Sequence, residues 1–127
     1  MEEGSILDKP ARILIVDDDP SVIQALSGQF LADGHQVWSA SGPAEAARLA
    51  SERVFDLILL DILLSGRNGL DLIHELKGAS GARVVIMTGH AGDAIREDAM
   101  LLGAAELIGK PFDYPQLARL LRATPSR

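Results

Sequence analysis

The chain of 127 residues contains no cysteine. This absence excludes disulfides, thiolate catalysis and cysteine-ligated zinc or iron–sulfur sites, and it fits a reducing cytoplasm. Basic residues are also scarce, because 12 Lys and Arg stand against 18 Asp and Glu for a formal net charge of −6. Direct binding to nucleic acid usually needs a basic face, so we expect proteins and cations as partners instead.

Long apolar runs and targeting signals are missing as well. No run approaches membrane-spanning length, and the polar start, residues 1–10, lacks the basic region and apolar core of a signal peptide. We therefore expect no membrane partner and a cytoplasmic location. The apolar fraction of 47% suffices for one globular domain. We expect that domain at 11–124, with a polar tail at 1–10 and, at 125–127, a tail or the start of a linker that was cut away.

Short apolar runs alternate with helix-like segments along the chain. Gly34 is expected to end the first helix, and 78–81 to form a loop. This alternation predicts right-handed βαβ units, and hence a parallel sheet with helices on both faces. Strands are predicted at 12–16, 36–39, 55–60, 83–87 and 106–108, and helices at 21–33, 41–51, 68–77, 93–102 and 114–123.

Polar residues stand at the carboxyl ends of the predicted strands. The first strand is followed by Asp17 and Asp18, the third by Asp61, the fourth by Thr88 and the fifth by Lys110. Ligands of open parallel sheets bind at this edge, beside a topological switch point. With the strand order 2-1-3-4-5, the first and third strands are neighbours, so their three carboxylates should converge there.

Such a cluster predicts phosphoryl chemistry assisted by a metal ion. Carboxylate oxygens suit a hard dication such as Mg²⁺. A carboxylate able to attack phosphorus would form an aspartyl phosphate. The ammonium of Lys110 and the hydroxyl of Thr88 would stabilise the phosphoryl oxygens as charge develops.

The sequence resembles the receiver domain of bacterial two-component response regulators. The resemblance covers roughly 12–123 and rests on four motifs in order: "VDDD" after the first strand, "LILLD" with Gly69 eight residues beyond Asp61, "MTG" after the fourth strand and "KPF" after the fifth. It implies a flavodoxin-like three-layer (βα)5 sandwich with a five-stranded parallel sheet of order 2-1-3-4-5.

The resemblance also implies a role for each strand-end residue. Asp61 would be the phosphoacceptor, Thr88 the hydroxyl that follows the phosphoryl group, and Lys110 its cationic partner, joined to Pro111 by a cis peptide bond. The implied ligands of Mg²⁺, or of Mn²⁺, are Asp17, Asp18, Asp61 and the backbone carbonyl of Leu63.

The implied activity is a timed switch and not a conventional enzyme. A sensor histidine kinase or a phosphotransfer protein would pass a phosphoryl group from phosphohistidine to Asp61, and slow self-catalysed hydrolysis would then remove it. Phosphorylation would switch protein–protein interactions, with an output domain or effector protein and a homodimer as further partners.

Two other functions are compatible with the sequence. A haloacid-dehalogenase-like phosphatase carries its nucleophile in an Asp-x-Asp pattern after the first strand, and Asp17 and Asp19 have that spacing. Asp61 would then have no role, and Asp19 before Pro20 also reads as a helix N-cap. The second alternative is a degenerate receiver that only binds proteins.

Some residues depart from the family pattern. Leu64 and Ser65 replace a usual Met-Pro, and Leu107 replaces an aromatic residue whose rotation usually reports phosphorylation. We therefore expect conformational change to run through the fourth predicted helix and the 88–92 loop.

Overall fold

The computed structural model describes residues 10–64, 67–89, 92–110 and 113–122. Helices and strands alternate along these segments. Their bounds are β1 (Arg12–Val16), α1 (Pro20–Ala32), β2 (Gln36–Ala40), α2 (Pro43–Glu52), β3 (Leu57–Asp61), β4 (Leu63–Leu64), β5 (Arg67–Asn68), a 3₁₀ turn (Gly69–Leu72), α3 (Ile73–Ser80), β6 (Arg83–Thr88), α4 (Asp93–Leu101), β7 (Glu106–Gly109) and α5 (Tyr114–Arg122).

Five of these strands form a parallel sheet in the order β2-β1-β3-β6-β7. Since β6 and β7 are the fourth and fifth predicted strands, the order 2-1-3-4-5 is confirmed. The register places Val16 opposite Leu60, and Asp61 opposite Met87. The carboxyl ends of the three central strands therefore lie side by side.

Alternate residues of the central strands pack on opposite faces of the sheet, as pleating requires. One face packs against α1 and α5, and the other against α2, α3 and α4. The first core contains Ile13, Ile15, Leu57, Leu59, Phe30 and Leu117. The second contains Leu14, Val16, Ile58, Leu60, Leu49, Ile73 and Ala99. All of β3 is buried, which explains the uninterrupted apolar run "LILL" in its sequence.

The start of α1 follows its sequence signals closely. Asp19 is extended and its carboxylate accepts a hydrogen bond from the Ser21 amide, while Pro20 occupies the first helical turn. Gly34 follows the helix with a φ of 90°, a left-handed conformation that favours glycine. The N-cap assigned to Asp19 and the stop assigned to Gly34 are both confirmed.

The segment after β3 differs from the sequence prediction. The third helix begins as a 3₁₀ turn and continues as α3 to Ser80, so the loop predicted at 78–81 is wrong for 78–80. Helices tolerate an exposed glycine such as Gly78, whereas Gly81, at φ 70°, ends this one. A short antiparallel pairing of β4 with β5 was not predicted. Within the described residues, no helix is long and apolar enough to cross a membrane.

Candidate functional site

The end of β1 supplies the innermost carboxylate. The Asp17 amide donates to the carbonyl of Ala40 on β2 at 3.1 Å, which carries the strand pairing one residue beyond Val16. The side chain of Asp17 is fully buried, whereas Asp18 is exposed at the rim. A buried carboxylate needs compensating donors. One is the Asp19 amide, 2.9 Å from Asp17 Oδ1.

The end of β3 supplies the second carboxylate of the inner site. Asp61 is the last residue of the strand, and its Oδ1 accepts from the Leu63 amide at 3.3 Å. The chain then turns back closely, since the Gly69 amide donates to the carbonyl of Ile62. A side chain at position 69 would overlap the carbonyl oxygen of Asp61. Glycine is therefore needed at the position that the sequence motif singled out.

The ends of β6 and β7 meet at the same edge. Thr88, the last residue of β6, is 1% exposed. Its carbonyl accepts from the Lys110 amide at 2.6 Å, so the residue after β7 is held against β6 by its backbone. The Lys110 side chain is thereby directed from the outer strand toward the centre of the sheet.

Lys110 joins the two inner carboxylates. Its Nζ lies 3.0 Å from Asp17 Oδ2 and 3.5 Å from Asp61 Oδ2. Ligand oxygens of Asp17, Asp18 and Asp61 all lie within 4.8 Å of one another. The strand ends that the sequence predicted to converge therefore do so, with the lysine between β1 and β3.

The electrostatics of the site favour an additional positive charge. Burial, and then the nearby Asp17 carboxylate, raise the pKa of Asp61, although the Leu63 amide and Lys110 oppose this shift. Burial lowers the pKa of Lys110, but its hydrogen bond and charge contacts with Asp17 and Asp61 outweigh burial and leave that pKa raised. Lys110 is therefore a stable cation, and its single charge only partly offsets three carboxylates.

These residues fit a hard divalent cation. Three carboxylate ligands from two adjacent strand ends are what Mg²⁺, Mn²⁺ or Ca²⁺ accepts, and the separation within 4.8 Å allows one ion to contact all three. The Leu63 amide already contacts Asp61, whereas a metal-ligand role for the Leu63 carbonyl stays a prediction.

The geometry does not favour the phosphatase alternative. Asp19, the second acid of the Asp-x-Asp pattern, accepts from both the amide and the hydroxyl of Ser21 as the cap of α1. Asp17 is engaged by Lys110 and by the Asp19 amide. Asp61, which that alternative leaves without a role, stands beside the lysine instead.

Some details of the site were not predicted from the sequence. Two carboxylates accept from the amides of Leu63 and Asp19, and Gly69 closely approaches the backbone of Asp61. These features depend on loop conformation, which the identities of the side chains do little to indicate. The spacing of Asp17 and Asp19, typical of an Asx turn, is the one pattern that could have indicated the Asp19 amide as a donor to Asp17. Ser65 and Pro111, with its predicted cis bond, lie outside the described residues.

Comparison with known proteins places the chain in a family. The family model for the response regulator receiver domain matches residues 13–122. The alginate biosynthesis transcriptional regulatory protein AlgB of Pseudomonas putida is 36% identical over 114 residues, 89% of this chain and 25% of that protein. The transcriptional regulatory protein KdpE of Mycobacterium tuberculosis is 31% identical over 115 residues, 91% of this chain and 51% of that protein. The chain thus spans a quarter to about half the length of these relatives.

A solved structure gives the same result at the level of the fold. A response regulator protein from Burkholderia pseudomallei superposes with a TM-score of 0.82 at 29% identity, covering 87% of this chain and 65% of that one. That crystal structure contains a phosphorylated aspartic acid, a calcium ion and citrate.

Proposed function

Because this chain belongs to the response regulator receiver domain family, we propose that Asp61 is its phosphoacceptor and that Asp17 and Asp18 hold Mg²⁺ beside it. The observation that carries the proposal is the position of the Lys110 ammonium, 3.0 Å from the Asp17 carboxylate and 3.5 Å from that of Asp61. The Lys110 ammonium thus stands between two buried carboxylates, where it can pair with an oxygen of a phosphoryl group on Asp61.

The chemical step is an in-line transfer to a carboxylate oxygen of Asp61. The Asp61 oxygen forms a bond to phosphorus as the phosphorus–nitrogen bond of a donor phosphohistidine breaks, and the imidazole leaves with the bonding electron pair. Lys110 neutralises charge on the phosphoryl oxygens, and the Thr88 hydroxyl donates to one of them. A bound divalent cation supplies further neutralisation of those oxygens.

The lifetime of the aspartyl phosphate determines how long the switch stays on. Water attacks the phosphorus of the aspartyl phosphate, inorganic phosphate leaves, and the Asp61 carboxylate is restored. The domain accordingly acts as a timed switch and not as a conventional enzyme. A sensor histidine kinase or a phosphotransfer protein supplies the phosphoryl group in the cytoplasm, where ATP-dependent kinases act.

Partners beyond the phosphoryl donor are part of the same proposal. The relatives are longer than this chain, and their length supports an output domain or effector protein as the receiver of the signal. A second copy of this chain, forming a homodimer, is a further proposed partner. The net charge of −6 supports protein recognition over direct contact with nucleic acid.

Intact-mass analysis after incubation with Mg²⁺ and acetyl phosphate tests the proposal. We expect one phosphoryl group on the wild type and none on Asp61→Asn. Loss of the adduct in Asp17→Asn with retention in Asp61→Asn would instead support the phosphatase chemistry. An absence of any adduct on the wild type, with or without a kinase donor, would identify a degenerate receiver that only binds proteins.

A further inference from the structure

The orientation of Asp17 depends on a residue outside the proposed metal and phosphoryl contacts. One Asp17 oxygen, Oδ2, is held by Lys110, and the other, Oδ1, accepts from the backbone amide of Asp19 at 2.9 Å. Two donors on different elements fix the rotation of the carboxylate. Each oxygen keeps a second lone pair that can face a cation.

The position of the Asp19 amide is in turn fixed by its own side chain. Asp19 Oδ1 accepts from the Ser21 amide at 2.9 Å and from the Ser21 hydroxyl at 2.7 Å. The Asp19 carbonyl meanwhile accepts from the amides of Val22 and Ile23, the first bonds of α1. Two consecutive turns, from Asp17 to Asp19 and from Asp19 to Ser21, therefore connect the first helix to the site.

We propose that Asp19 is a positioning residue for the metal site. Its backbone amide orients the Asp17 carboxylate. Asp19 also ends the turn that contains Asp18, and so positions that residue as well. This inference rests on the proposed function, because it assigns Asp17 and Asp18 to the cation. Asp19 itself need not touch the cation, since its carboxylate is already engaged in capping α1. Outer partners of this kind orient metal ligands and commonly contribute to affinity.

A purely electrostatic role for Asp19 makes a different prediction. An exposed carboxylate near a cation attracts it whatever its hydrogen bonds, although solvent screens that attraction. Asp19→Asn removes the charge but keeps a side-chain oxygen that caps as well as aspartate does. Asp19→Ala removes both the charge and the cap. The two substitutions therefore separate position from charge.

The experiment measures the Mg²⁺ dissociation constant by isothermal titration calorimetry with magnesium chloride, together with Tm in EDTA. We expect Asp19→Ala to weaken binding roughly tenfold, the lower end of the range for outer partners of metal ligands. Asp19→Asn should stay within about twofold of the wild type, because asparagine is an equivalent cap. Asp17→Asn reports whether the proposed metal site exists at all.

Gln24→Gly is the matched control for a weakened helix. Gln24 is an exposed α1 residue one turn beyond the site. Glycine at this position weakens the helix much as loss of a cap does, without altering the turn. It should lower Tm as Asp19→Ala does, while leaving the Mg²⁺ dissociation constant unchanged.

Four results would overturn the inference. Wild-type affinity in Asp19→Ala would show that the turn does not position the ligands, and equal weakening in Asp19→Asn would show that charge alone acts. Weakening in Gln24→Gly equal to that in Asp19→Ala would assign the effect to general loss of helix stability. If Asp17→Asn binds Mg²⁺ as the wild type does, the proposed function is itself wrong and the inference fails with it.

Discussion

At the scale of single residues, the stability of the fold and the proposed phosphoacceptor role conflict at Asp61. Its side chain lies beside the buried carboxylate of Asp17, and burial followed by that charge raises its pKa. A group whose pKa is raised by folding contributes stability below its unfolded pKa and loses that contribution as the pH rises through the folded value. At neutral pH, ionised Asp61 therefore destabilises the metal-free fold.

Asp61→Asn should stabilise the metal-free protein at pH 7. We expect Tm in EDTA to rise by about 3–5 °C, which corresponds to about 1 kcal/mol for a domain of this size. Asp98→Asn, which removes an exposed carboxylate on α4, is the control and should change Tm little. An unchanged or lowered Tm in Asp61→Asn would show that Asp61 is not under electrostatic strain.

We expect the protein to lose stability in mild acid because of the environment of His35. Its Nδ1 accepts a hydrogen bond from the Ala11 amide at 3.0 Å, which requires the neutral ring. Burial lowers the pKa of His35, although Asp33 opposes the shift. The unfolded state then binds more protons, so stability is full above the ordinary pKa of 6.5 and falls as the pH drops through and below it.

Urea unfolding of the wild type and of His35→Gln, between about pH 7 and about pH 5, measures this contribution. We expect the wild type to lose more stability on acidification than the variant, by no more than about 1 kcal/mol, the net value of one hydrogen bond. Equal pH dependence in the two proteins would remove His35 from the acid response.

At the scale of elements, the close turn between β3 and the 3₁₀ segment determines where Asp61 lies. A Cβ at Gly69 would meet the carbonyl oxygen of Asp61, and backbone cannot yield as a side-chain tip can. We expect Gly69→Ala to lower the free energy of unfolding by about 1–3 kcal/mol, as overpacking does. It should also slow phosphorylation of Asp61 by acetyl phosphate.

Gly28→Ala is the matched control for this prediction. Gly28 lies inside α1, and a Cβ there would meet no atom within 4 Å apart from its chain neighbours and the adjacent backbone of its own helix. Alanine should raise the free energy of unfolding by about 0.5–1 kcal/mol, because glycine is a poor helix former. Chemical denaturation of both variants measures the difference, and a neutral effect of Gly69→Ala would contradict the close-approach account.

The last two helices are anchored to the sheet unequally, which supports the predicted route of conformational change through the fourth helix. α4 buries Ala99 against the sheet and leaves Leu101 85% exposed. α5 buries three leucines, and its Tyr114 hydroxyl donates to the Asp33 carboxylate at 2.6 Å. Elements with few buried apolar contacts open most readily. Leu107, in the core beneath α4, is 2% exposed.

We accordingly expect activation to change α4 more than α5. Amide hydrogen exchange with and without beryllofluoride and Mg²⁺ measures this, and the largest change should fall in Asp93–Leu101. The prediction is wrong if the largest change falls at Leu107 and in α5, which would mean that the signal passes through β7 despite its missing aromatic residue.

At the scale of the whole molecule, the parallel sheet and its strand order were predictable because apolar runs and strand-end residues are local signals. Continuous runs such as "LILL" suit a central strand that is buried on both sides. The order of the strands then placed Asp17, Asp61 and Lys110 together, and the structure has them within hydrogen-bond or ion-pair distance.

What could not be predicted depends on backbone conformation between elements. The continuation of α3 through Gly78 and the pairing of β4 with β5 are decided by tertiary packing, which overrides weak local preferences. The donors to Asp17 and Asp61 are main-chain amides, and every residue except proline has one. Sequence therefore identified the charged groups of the site but not the backbone that orients them.

The central claim is that the converging ends of β1, β3 and β7 make Asp61 a metal-dependent phosphoacceptor. Its most direct test is tandem mass spectrometry of the Asp61 peptide after phosphorylation and borohydride reduction, which converts an aspartyl phosphate to homoserine. We predict homoserine at position 61 when Mg²⁺ is present, and unmodified aspartate when EDTA replaces it. Homoserine at position 17 or 18, or equal modification of Asp61 in EDTA, would contradict the account.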